Sequence, residues 1–133
     1  MEASILMDAH VQTKRIYGLL NEVMDVSRQM AEAVDRDDQV AIQMLVTMRE
    51  EPVRRLRLAR QALVEQRESL GPEKAERLSQ LLNGAEAETE EERPLAAQVG
   101  VNRRLLSQIL DLDRVLSHKL AREKSIYNER TAD

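Results

Sequence analysis

The residues able to do chemistry in this chain are few and scattered. Two histidines, His10 and His118, and two tyrosines, Tyr17 and Tyr127, stand in a sequence with no Cys, Phe or Trp. A metal site needs three or four ligands converging at fixed spacing. His10 has only Asp8 beside it and His118 only Asp111 and Asp113, so both histidines read as surface residues. Nucleophilic catalysis needs a Ser or Cys with a His and an acid in reach, and the single serines and threonines here show no such set. The four glycines, Gly18, Gly71, Gly84 and Gly100, build no phosphate-binding loop. Glu50 and Glu51 are neighbours and so point to different faces of a helix, which suits a solvated surface better than acid–base work. Pockets are usually walled with aromatic side chains, which this chain almost lacks. The expectation is a protein that binds, with no enzyme activity, no metal and no cofactor.

Charge narrows the partner. The densest basic cluster is Arg54, Arg55, Arg57 and Arg60, but at about 100° per residue these spread around a helix instead of tracking one groove, and no aromatic residues alternate with them. The net charge is −4, so the summed field repels phosphate and nucleic acid is not expected. No apolar run approaches the ~20 residues that span a bilayer. The start MEASILMDAHVQTKR lacks a continuous apolar core and carries Glu2 and Asp8, unlike a signal peptide. A cytoplasmic protein without membrane insertion is the expectation, and the missing cysteines fit a reducing compartment.

The elements that must present a binding surface follow from periodicity. With 42% apolar and 33% charged residues, 133 residues suffice for one helical domain, 1–133. Ile5, Ala9, Ile16, Leu19, Leu20, Val23, Met30 and Val34 recur at spacings of three, four and seven, which predicts a helix over 3–34. Asp35-Arg36-Asp37-Asp38 ends it, and Asp37 or Asp38 can cap the next helix. That helix, over 38–70, carries Ile42, Leu45, Val53, Leu56, Ala59, Leu63 and Leu70. Pro52 lies inside it and predicts a kink near 48–52, or two helices with Pro52 in the first turn of the second. Gly71-Pro72 suits a helix end followed by a helix start and opens a short helix over 72–83. Residues 85–93 hold Glu86, Glu88, Glu90, Glu91 and Glu92 without an apolar stripe, which reads as a solvated loop or a frayed helix start. Pro94 begins the last helix, 94–128, through Leu95, Val99, Leu105, Leu106, Ile109, Leu112, Leu116 and Leu120.

The predicted fold class is all-α. An antiparallel hairpin of the first two helices, joined by the long C-terminal helix, makes an elongated three-helix bundle or coiled coil, with the short helix as connector. Helices longer than their bundle leave apolar surface without a partner, and such surface marks protein binding or self-association. Met24, Met30, Met44 and Met48 lie at or beside the stripes, where core filling is favoured over an adaptable binding surface.

Several segments together resemble the flagellar export chaperones typified by FlgN. They are Leu19-Leu20-Asn21-Glu22 on a long first helix, the turn Ala33-Val34-Asp35-Arg36-Asp37-Asp38 leading into Val40-Ala41-Ile42-Gln43-Met44-Leu45, the charged Arg49-Glu50-Glu51, and Asn102-Arg103-Arg104-Leu105-Leu106 on the final helix. The resemblance spans 14–127. Pro52 and the acidic segment stand outside the family pattern.

The resemblance implies a small, non-enzymatic cytoplasmic protein that keeps hook–filament junction proteins unassembled and delivers them to the flagellar type III export gate. It further implies that the client, as an amphipathic segment from one of its termini, binds the C-terminal helix, where Leu105, Leu106, Ile109, Leu112, Leu116 and Leu120 are the candidate anchors. Tyr127 is the residue that matches the family's gate-contacting tyrosine. The alternatives are a coiled-coil module without an export role, such as a homodimer bridging larger assemblies, and a protein coating an apolar interface in the manner of phasins. The scarcity of aromatic anchors counts against the second.

Overall fold

The first turn of the chain passes directly into helix, and helices account for nearly all that follows. The computed structural model describes residues 1–131, with side chains to 122. The elements are α1 (Ala3–Asp35), α2 (Gln39–Glu68), α3 (Pro72–Leu82) and α4 (Arg93–Thr131). The fold is all-α, and its helices pack as a bundle.

Each boundary has a local cause. After α1 the Asp37 N–H bonds the Val34 carbonyl (3.0 Å) and the Asp38 N–H the Ala33 carbonyl (2.9 Å), a Schellman closure that puts Asp37 in the left-handed region at φ 56°. Asp38 then caps α2, its carboxylate accepting the Ala41 N–H at 3.0 Å. The closure repeats after α3, where Gly84 takes φ 100°, its N–H bonds the Leu81 carbonyl and the Ala85 N–H bonds the Gln80 carbonyl. Pro72 opens α3 behind an extended Gly71.

Pro52 does not split α2, which is assigned as one helix from Gln39 to Glu68. Proline removes one backbone bond, but Ile42 and Leu45 before it and Ala59 after it are all held by burial. Pro52 is itself buried. The alternative of two separate helices therefore does not apply.

Long-range polar contacts give the directions. The Gln66 side-chain amide donates to the Ile5 carbonyl at 2.9 Å, so α2 returns antiparallel to α1. The Asn102 amide donates to the Thr13 carbonyl at 2.8 Å and Lys119 meets Asp35 at 2.7 Å, so α4 runs parallel to α1. Since Asp35 is the last residue of α1, α4 continues to Thr131 about 18 Å beyond that contact.

The core has two parts. A larger cluster around Leu6, Leu20, Val23, Leu63, Leu78 and Leu95 fills the end nearest α3. A smaller one around Met30, Val34, Ile42, Leu45 and Leu116 fills the end nearest the hairpin turn. Met24 and Met30 are core, whereas Met44 and Met48 are exposed. The core-filling expectation holds for the first pair and fails for the second, because α1 shields only the flank of α2 that carries Ile42 and Leu45.

In the segment 83–92 Glu86, Glu88, Glu90 and Glu91 are exposed, as a solvated loop requires, but the fifth glutamate is not. Glu92 is only 4% exposed. Its carboxylate receives Arg77 twice, at 2.6 and 2.9 Å, and the Glu88 backbone N–H at 2.8 Å. Arg77 also donates to the Glu86 carbonyl at 3.1 Å, so one α3 guanidinium ties the loop at two points. An apolar stripe could not report this, since the anchor is an ion pair.

Candidate functional site

α1 packs along both α2 and α4, but among the described residues no Cα of α2 lies within 8 Å of a Cα of α4. The outer helices therefore stand apart over α1 and leave a cleft. Its floor is Ile16 and Leu20 of α1; Leu56, Leu63 and Val64 form one wall and Val99 and Leu106 the other. Leu82 and Asn83, at the end of α3, also line it. The cleft has a volume of about 300 Å³; Ile16, Leu20, Leu63 and Val99 at its base are buried, and Leu56, Val64, Leu82 and Leu106 are half-buried.

Polar groups set its geometry. Asn102 is buried at the α1 side and bridges two helices, donating to the Thr13 carbonyl while its own oxygen accepts the Gln98 amide at 3.0 Å. This fixes the register of α4 on α1, because shifting either helix by a residue would leave the amide unpaired. Farther along, Arg49 of α2 reaches Asp113 of α4 with bonds of 2.7 and 2.9 Å, a half-buried strap between the helices that flank the cleft. Arg60, Arg67 and Arg103 line the cleft as well. Arg103 lies over Gly84, where an added Cβ would come within 3.1 Å of its Nε.

The candidate client residues do not share one free face. Ile109 and Leu116 are buried in the protein's own core. Leu105 and Leu112 are half-buried against the larger cluster, and Leu120 against the smaller one. Leu106 alone of the six lines the cleft. The stripe read along α4 is therefore largely the seam by which α4 packs on α1: periodicity reports that a face is buried without saying against what. The side chain of Tyr127 lies outside the described residues. The cleft residues of α2, Leu56, Leu63 and Val64, were not singled out as a site, and their helical spacing could not distinguish a cleft wall from core.

Two other surfaces carry candidate groups. Val40, Met44 and Met48 stand at four-residue spacing on α2, 79%, 59% and 52% exposed. A second groove, between α1 and α2, is lined by Arg15, Gln12, Arg55, Leu58 and Ala62. His10 is half-buried with its pKa lowered by burial, and His118 is exposed. Among the described residues no cluster of three or more His, Cys, Asp or Glu side chains could hold a metal, and no helix is long and apolar enough to cross a membrane. Comparison with protein-family models, curated proteins and solved structures finds no match to this chain.

Proposed function

We propose that the protein is a non-enzymatic export chaperone of the flagellar type, whose cleft between α2 and α4 receives an amphipathic helix from its client. The observation that carries the reading is the separation of two long helices that both pack on α1, which leaves the half-buried Leu56 and Val64 of α2, Leu106 of α4 and Leu82 of α3 along a cleft above the buried Ile16, Leu20, Leu63 and Val99. The client class, hook–filament junction proteins, and delivery from the cytoplasm to the export gate rest on the sequence resemblance. Tyr127 on the last helix is the proposed gate contact.

The test is co-purification with a hook–filament junction protein. Leu56→Asp with Leu106→Asp places charge on both cleft walls at half-buried positions and abolishes capture, with helicity and melting read alongside because both side chains also pack on the larger core cluster. Retained capture by the folded variant removes the cleft from the function. Tyr127→Ala leaves capture intact and weakens binding to the cytoplasmic domain of the gate.

A second reading is favoured by the exposed Val40, Met44 and Met48: self-association as a homodimer without an export role. Solution mass distinguishes the two, because this reading requires a dimer that Met44→Lys with Met48→Lys returns to monomer.

A further inference from the structure

The chain is acidic overall, with 24 Asp and Glu against 20 Lys and Arg, yet no Asp or Glu lines the cleft. Its three charged lining residues are Arg60, Arg67 and Arg103. Some guanidiniums elsewhere find carboxylates, as Arg49 does with Asp113, Arg54 and Arg55 with Glu51 and Arg77 with Glu92, while among the described residues Arg15, Arg28, Arg57 and Arg104 stand without one. Among the described residues none of the three cleft arginines lies within 4.0 Å of a carboxylate. Arg67 has only a long contact, 3.5 Å, to the Ser79 hydroxyl.

We infer that the cleft selects an acidic amphipathic helix, taking its apolar face on the half-buried Leu56, Val64, Leu82 and Leu106 and its flanking carboxylates on Arg60, Arg67 and Arg103. The inference rests on the reading of the cleft as the client groove and adds the chemistry that chooses the client. Arg60 and Arg67 are seven residues apart on α2, two turns along one flank, and Arg103 stands across the cleft on α4. A docked helix with Glu at i and i+7 on one flank and a third Glu on the other meets all three, and bidentate arginine–carboxylate pairing gives geometric specificity as well as attraction. An apolar cleft rimmed with one sign of charge also repels basic helices, which sets selectivity as much as affinity.

The experiment titrates the full-length protein with three synthetic helical peptides that share one leucine stripe and carry Glu, Gln or Lys on both flanks. The Glu peptide binds tightest, the Gln peptide about tenfold or more weaker and the Lys peptide weakest, and the Glu affinity falls as salt rises. Arg60→Glu with Arg103→Glu inverts the order so that the Lys peptide is preferred. Should that variant lose helicity, Arg60→Gln with Arg103→Gln must level the Glu and Gln peptides. Equal affinities for all three peptides, or no binding of any, overturn the inference. The same holds if dodecanoate saturates the cleft while the peptide series is flat, or if the arginine variants change only the solution mass. Capture of a hook–filament junction protein beside a flat peptide series would keep the proposed function and remove the charge selection. A graded series without such capture would do the reverse.

Discussion

Arg77 and Glu92 are joined side chain to side chain across the loop that precedes α4, the carboxylate enclosed and the guanidinium largely so. The Arg77 hydrogen bonds hold the Glu92 carboxyl at about 2, against the opposing effect of burial and with help from the Glu88 N–H. In the unfolded chain the same group titrates near 4.5. As pH falls below that value the unfolded state takes up the proton first, so the pair's contribution is complete at neutral pH and is lost between about 4.5 and about 2. Glu92→Gln should flatten the stability curve over that interval, read by urea melts at stepped pH.

The same pair protects the loop. Removing Arg77 leaves an enclosed carboxylate without its cation, and Arg77→Ala should cost roughly 2–3 kcal/mol. Limited proteolysis checks the local effect: residues 83–92 resist cleavage in the parent and become the first site cut in the variant.

The strap from Arg49 to Asp113 is weaker because both side chains are about one-third exposed, 27% and 33%. Arg49→Gln and Asp113→Asn should each lower stability by about 1 kcal/mol, and the double variant should cost less than their sum. A strictly additive cycle would show that the strap carries no coupling.

Asp37 occupies a left-handed position that glycine adopts without a Cβ penalty. Asp37→Gly should therefore raise stability by about 0.5–1 kcal/mol, offset in part by losing the bond from the Gln39 amide to the Asp37 carboxylate. The counterpart at the second closure is Gly84→Ala, which is strained by φ and also presses on Arg103, and it should destabilise.

Ile109→Asp and Leu116→Asp place a charge in the two buried clusters and should each cost more than about 3 kcal/mol, seen as loss of cooperative melting. Loss of client capture by either variant would report unfolding and not a binding site. Val115→Asp, on the exposed side of the same helix, should melt like the parent.

Local chemistry was enough to place the helices: the spacing of Ile16, Leu20 and Val23, the stop at Asp35 to Asp38 and the Gly71-Pro72 break are all properties of neighbouring residues. Periodicity says that a stripe is buried, but not what buries it, and so Ile109 and Leu116 could equally have been a client's anchors or α1's partners. Only the tertiary arrangement decided that α1 covers them, that α2 and α4 stand apart over Leu20, and that Glu92 is enclosed by Arg77. Each of these depends on which segments meet across tens of residues, a balance of packing areas and ion pairs that no single helix contains.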